Sequence, residues 1–200
     1  MPHLKCNGIN VYYEIHGEGV PVLFLNGLSS DISKKMPIIN AMKKYFKVVV
    51  PDIRGSGRSD KPKESYSISQ FAEDVAELIE QLSFPKIDVM GFSMGGFITI
   101  DLALHFPELI DKIILVSTKP AWTKPEKPSD EAERIFHSTD ISEKLLTDVF
   151  NLIYGPAYRK RFSAQSYVKE RLSDDDPQPL HAYLNQLYAC ENFDLYEQIN

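Results

Sequence analysis

The chain has little of what would place it outside a cell or within a membrane. Its 200 residues include 2 cysteines, Cys6 and Cys190, far apart and in no CxxC arrangement. That excludes a disulfide framework and makes a reducing, cytoplasmic compartment the expectation. The opening MPHLKCNGIN has neither a basic stretch nor an apolar one and does not read as a secretory signal. No apolar run approaches the roughly 20 residues that span a bilayer. Positive charge is in the minority: 22 Lys and Arg stand against 28 Asp and Glu, a net charge of -6. Neither nucleic acid nor a membrane is therefore the expected partner. The basic cluster Arg159-Lys160-Arg161 reads as a solvated helix face. The 5 histidines form no HExxH or His/Cys cluster, so no metal is expected. GSGRSD lacks the third glycine of a dinucleotide fingerprint and no P-loop pattern occurs, so no cofactor is expected either. The acidic run SDDDP (173–177) lacks the spaced oxygen ligands of a calcium loop and reads as a solvated loop.

What remains is the make-up of a globular domain, with 43% hydrophobic and 25% charged residues, enough to bury a core. LKCNGINVYYEIHGEG reads as two strands joined at Asn7-Gly8, a strong hairpin signal. VPVLFLNG (20–27) and FKVVVPD (46–52) are short continuous apolar runs, as expected of strands covered on both faces. ISKKMPIINAMKKY between them suits a crossover helix. SISQFAEDVAELIEQL (67–82) is the clearest helix, with Phe71, Val75, Leu78, Ile79 and Leu82 on one face and Ser67 or Ser69 as cap. Strand 86–91, helix 94–106 and strand 112–117 follow. This alternation implies βαβ units and a mostly parallel sheet, an α/β fold.

After Ser117 the character changes. TKPAWTKPEKPSD reads as a linker, and helical patterns run from about Glu131 to Asn192. One of them places Ile141, Leu145, Leu146, Val149, Phe150 and Ile153 on one face and stops at Gly155-Pro156. The expected organisation is a core over 1–118, a helical cap over 119–192 and a segment returning to the sheet over 193–200.

The chemistry concentrates at Gly91-Phe92-Ser93-Met94-Gly95, where an apolar strand meets an apolar helix. A serine hydroxyl is a poor nucleophile without a base and without donors for the oxyanion it generates. A sharp strand-to-helix turn lifts the hydroxyl above the sheet and aims the first free N–H groups of the helix at the reacting oxygen. Such a turn leaves no room for side chains two positions either side, hence Gly91 and Gly95. The plain alternative is a glycine-rich turn whose serine caps the helix.

The hairpin NGINVYYEIHGEG, the loop VLFLNGLSS, PDIRGSGRSD, the elbow GFSMGG and the strand KIILVS before a helical segment together resemble the α/β-hydrolase family, and within it the capped, esterase-like members. The resemblance covers nearly the whole chain. It implies an α/β-hydrolase fold, a mostly parallel sheet flanked by helices with a helical cap insertion. It further implies Ser93 as nucleophile, and the backbone N–H groups of Leu28 and Met94 as oxyanion donors. The family usually has His-Gly where this chain has Asn26-Gly27. A backbone donor does not depend on its neighbour's side chain, and an asparagine can also hydrogen-bond to order the loop. Asn26 is accordingly a pocket candidate, as is Trp122 in the linker. Phe150, Tyr154, Tyr183 and Tyr188 are further candidates for apolar walls or for packing.

In this fold the nucleophile is followed in the chain by the acid and then the histidine. After Ser93 come His105, His137 and His181. His105 ends the helix that Ser93 opens, about 16 Å away at 1.5 Å per residue, and the other two fall in the cap. No acid directly follows the strand ending at Ser117. The four successive apolar residues IILV suit a strand with neighbours on both sides. These features read as the N-terminal majority of a serine hydrolase, nearly inactive as 200 residues alone and prone to self-association at that sheet edge. The expected reaction is hydrolysis of a small ester, thioester or related carboxylic derivative through an acyl-enzyme on Ser93, with a small molecule as the binding partner. An acyltransferase, a C–C hydrolase or a cofactor-free peroxidase-like enzyme would use the same fold. So would a ligand-binding or signalling module that does not turn over.

Overall fold

In the computed structural model, which describes residues 2–174 and 176–199, the chain divides into two compact units, 1–126 with 178–200, and 127–177. Asp175 of the acidic run lies outside the described residues. The first unit is built on six strands, β1 (His3–Cys6), β2 (Ile9–His16), β3 (Pro21–Leu25), β4 (Lys47–Pro51), β5 (Ile87–Phe92) and β6 (Ile110–Val116). They form one mixed sheet in the order β1-β2-β4-β3-β5-β6. β1 and β2 are the predicted hairpin, turning at Asn7 and Gly8, both at positive φ. β2 pairs antiparallel with β4, and β4, β3, β5 and β6 run parallel.

Two faces of this sheet are covered, which is why β3 and β4 are continuously apolar instead of alternating. Leu23, Leu25 and Val49 enter a cluster with Phe71, Val75, Ile79 and Ile98. The intervening Phe24, Val48 and Val50 enter another with Ile32 and Ile39. The first cluster lies under α2 (Ile68–Gln81) and α3 (Met94–His105), and the second under α1 (Met36–Met42). Each such side chain, fully buried, contributes about 1.5–3 kcal/mol. Ser67, not Ser69, caps α2, its side chain accepting from the N–H of Gln70. Ser69 instead donates to Asp101 Oδ2 at 2.9 Å.

The order of the strands positions the site. From β3 the chain moves to β4 on one side, then returns across β3 to β5 on the other. The loops after β3 and β5 therefore rise side by side at the carboxyl edge of adjacent parallel strands, where Leu25 stands opposite Gly91. That is the switch point at which open α/β sheets bind ligands. β6 is the sheet's edge among the described residues, and Ile113, Ile114 and Leu115 are 42%, 49% and 42% exposed. This strand, whose apolar run suits neighbours on both sides, has one on the β5 side alone among the described residues.

The second unit is helical: α4 (Asp130–Phe136), α5 (Glu143–Ile153), α6 (Pro156–Arg159) and α7 (Ala164–Leu172). Leu146 and Phe150 are the buried residues of α5, while Ile141 and Ile153, expected on the same apolar face, are exposed at its ends. The arginine and lysine cluster at 159–161 is exposed, as its charge requires. α8 (Leu180–Glu191) falls with the α/β unit, not with the helical one. The physical reason is polar: His181 Nε2 meets the Lys61 carbonyl, and the Asn185 and Gln186 side chains donate to the carbonyls of Glu64 and Arg54. Part of the proline-rich linker is also pinned to this unit, with Ala121 paired to Asp194 and the Trp122 N–H donating to the Phe193 carbonyl.

Candidate active site

Ser93 joins β5 to α3 with φ 54° and ψ −118°. No L-residue adopts that combination without cost, about 1–3 kcal/mol, and it persists only where surroundings impose it. The surroundings here are explicit. The Ser93 N–H donates to the Val116 carbonyl at 3.0 Å, and its carbonyl accepts from the Gly96 N–H at 2.8 Å and from Thr118 Oγ1 at 2.9 Å. Both ends of the strained residue are thus tied, one of them to the residues just past β6. The side chain does not cap α3, so the capping alternative fails and the hydroxyl is left to other work.

The glycines around it are steric requirements. A Cβ on Gly91 would strike the Thr99 hydroxyl and the Gly95 backbone, and one on Gly95 would lie 2.6 Å from the Leu25 carbonyl carbon and 2.7 Å from the Asn26 oxygen. One on Gly27 would come within 3.1 Å of Ser93 Cβ and 3.3 Å of the Phe92 oxygen. The loop after β3 therefore passes against the elbow itself. Leu28, half-buried, follows at once. Met94 is the first residue of α3, where an N–H has no acceptor within its own helix. The predicted donors thus stand one on the loop after β3 and one at the start of α3, the two segments that meet at Ser93.

Asn26 is buried, 1% exposed, but among the described residues neither of its amide atoms has a hydrogen-bond partner. The expectation that it orders the loop by hydrogen bonding is corrected: other groups do so. Asp52, at the end of β4, accepts from the Ile32 N–H at 2.8 Å and the Arg58 N–H at 2.9 Å. Burial holds its carboxyl above the usual range, against the lowering effect of those two bonds. From α8, Gln186 Oε1 accepts from the Ser29 N–H. Neither residue was among the sequence candidates, nor was Thr118.

Trp122 lies edge-on to Phe97, ring centres 6.5 Å apart, and Phe97 stacks on Phe193 at 4.7 Å. Phe97 is one helical turn beyond Met94, so this aromatic group borders the elbow. Of the other wall candidates, Phe150 and Tyr154 contact each other and Tyr158 and Tyr167 inside the helical unit, where they form that unit's own core. Tyr188 is exposed on α8 and Tyr183 half-buried.

The histidines are bonded to groups other than Ser93: His3 with the Arg58 carbonyl, His16 with Glu14, His137 with the Glu133 carbonyl and His181 with the Lys61 carbonyl. His105 Nδ1 meets Asp101 at 3.0 Å, and Asp101 also accepts from Ser69. That trio has the residue types of a triad in the wrong order, with the carboxylate between hydroxyl and imidazole, so the imidazole cannot take the serine's proton. Among the described residues no three His, Cys, Asp or Glu side chains come together as metal ligands, and no helix is long and apolar enough to cross a membrane.

Known proteins share this fold. A family model described as alpha/beta hydrolase fold matches residues 20–162. A putative carbamate hydrolase, RutD, of Agrobacterium fabrum is 32% identical over 172 residues, 83% of this chain and 63% of its own. Among solved structures, Est816, described as an N-acyl homoserine lactone degrading enzyme, superposes with a TM-score of 0.73 at 27% identity, covering 92% of this chain and 70% of that one. An esterase from Exiguobacterium antarcticum superposes at 0.79 with 24% identity, over 98% and 75%, and shows the fold. The chain spans from 35% to 63% of the length of the first curated relatives it matches.

Proposed function

Because the chain belongs to the α/β-hydrolase family, we propose that it works as a serine hydrolase, cleaving a small ester, thioester or related carboxylic derivative through an acyl-enzyme on Ser93. The observation that carries this reading is the backbone of Ser93, held at φ 54° and ψ −118° with a side chain that caps nothing. Strain of this kind is maintained where function needs a side chain presented in one direction. Attack by Ser93 Oγ on a carbonyl carbon forms a tetrahedral oxyanion, which the N–H groups of Leu28 and Met94 stabilise. Collapse expels the leaving group and leaves the acyl ester, which water then cleaves. The substrate sits at the carboxyl edge of the sheet, its apolar part against Trp122 and Phe97. Relatives named for carbamates, lactones and esters share a carbonyl carbon bonded to a heteroatom leaving group, which supports this substrate class.

In this reading none of the five histidines serves as the base, since each is bonded to another group. The two cysteines, free and buried, support a cytoplasmic setting. The test is labelling with a fluorophosphonate, which reacts with an activated serine and not with a plain hydroxyl. In the full-length protein the label maps to Ser93 by mass spectrometry, and Ser93→Ala abolishes both labelling and hydrolysis of short p-nitrophenyl esters. Undiminished hydrolysis by Ser93→Ala refutes the assignment.

A further inference from the structure

We infer that Gln186 is a positioning residue that fixes the oxyanion loop, acting from a helix 157 residues away in the chain; the inference rests on the serine-hydrolase reading above. Gln186 lies on α8 and is 0% exposed. A glutamine in such a place must satisfy an amide that a leucine of similar size would not carry. Here every capacity of that amide is used. Its Nε2 donates to the Arg54 carbonyl at 2.8 Å and to Ser56 Oγ at 2.8 Å. Its Oε1 accepts from Gln178 Nε2 at 3.0 Å and from the Ser29 N–H at 3.4 Å. The backbone comes close to receive it: Gly55 is at φ +85°, and a Cβ there would meet Gln186 Nε2 at 3.3 Å and Tyr66 Cε2 at 2.8 Å.

The two loops that Gln186 holds are those after β3 and after β4. Ser29 has φ 56°, and its N–H belongs to the peptide unit immediately after Leu28, the proposed donor, whose neighbour Gly27 passes against Ser93. Leu28 and Ser29 form the turn of this loop, so holding the Ser29 N–H limits how far that turn, and the Leu28 N–H within it, can swing. Asp52 clamps the same loop three residues further on, through Ile32. A loop held at both points presents a preorganised donor, and preorganisation is what makes oxyanion donors effective. Released at Ser29, the loop keeps its fold through Asp52 but loses the direction of one donor. Misplacement of about 1 Å costs on the order of 100-fold in rate, while ground-state binding, made elsewhere, is unaffected.

The test uses the full-length protein, wild type and Gln186→Met, acylated on Ser93 with a carbon-13-labelled cinnamoyl group. Infrared difference spectra read the acyl carbonyl stretch, and steady-state kinetics give kcat and KM. The expected result is complete acylation of the variant, a carbonyl band shifted to higher frequency, and kcat lower by about 10- to 100-fold with KM within about twofold. A folded, fully acylated variant with an unmoved band overturns the role of Gln186 and leaves Ser93 standing. A wild type that is never acylated at Ser93 overturns the serine reading and this one with it. Should Gln186→Met fail to fold, Ser56→Ala removes one acceptor of the same amide. It is then expected to shift the band in the same direction by less, and an unmoved band overturns the proposal.

Discussion

Replacing Gly95 by alanine tests the packing at the elbow most directly. The added methyl would stand 2.6 Å from the Leu25 carbonyl carbon and 2.7 Å from the Asn26 oxygen, with the Leu25 oxygen closer still. Real Cβ atoms essentially never approach within 3.0 Å. Backbone must therefore move by several tenths of an ångström, and the atoms in the way are the end of β3 and the residue after it, with Leu25 paired to Gly91 of β5. A flexible side chain could yield; a central strand cannot without breaking ladder bonds. Overpacking usually costs about 1–3 kcal/mol, and with no side chain to yield we expect about 3 kcal/mol or more. Gly27→Ala meets its nearest atoms at 3.1–3.4 Å, so about 1 kcal/mol is expected. Gly155→Ala meets nothing within 4 Å at φ −70°, and should change stability by no more than about 0.5 kcal/mol. Urea denaturation followed by circular dichroism measures all three. The order Gly95, Gly27, Gly155 is the claim, and a Gly95→Ala protein within about 1 kcal/mol of wild type would refute it.

Asp52→Asn keeps one acceptor but turns an amide N–H2 toward a backbone donor, costing about 1–3 kcal/mol near pH 7. Because burial raises the folded-state pKa of Asp52, its carboxyl favours folding below the unfolded-state value and loses that contribution as pH rises through the folded-state one. The gap between wild type and Asp52→Asn in urea titrations should therefore widen as pH is lowered from about 7 into the carboxylate range; a gap that narrows contradicts the sign. At the exposed β6 edge we propose self-association of the 200-residue polypeptide. Ile114→Lys should lower its sedimentation-derived mass toward that of one chain, and an unchanged distribution would place any association elsewhere.

What could be read in the sequence was whatever local sterics and coverage dictate. β3 and β4 declare themselves because a strand covered on both faces has no polar alternation. The elbow declares itself because Leu25 and Thr99 leave no room for a side chain at positions 95 and 91. Gln186, Asp52 and Thr118 did not show, because the groups they hold lie 6 to 157 residues away, and a glutamine within a helical pattern looks like surface. Asn26 was legible as a departure from the family pattern, but its lack of a partner was not. The helical periodicity of 141–153 likewise gave the right element with too wide an apolar face, since a pattern cannot show where helix ends meet solvent. The attachment of α8 to the α/β unit was not legible for the same reason as Gln186: it runs through distant carbonyls at 54, 61 and 64.

The pairing of Ala121 with Asp194, backed by the Trp122–Phe193 and Leu195–Pro120 hydrogen bonds, has a consequence for how such a chain diversifies. It closes the base of the excursion that contains residues 127–177, with all the clasping atoms on the α/β side. Loop-closure entropy grows only with the logarithm of length, so doubling such a loop costs about 0.6 kcal/mol. The α/β unit therefore tolerates exchange, lengthening or shortening of the helical segment while its own strands and the elbow stay as they are. A graft of another helical segment between 126 and 178 should accordingly leave the elbow intact.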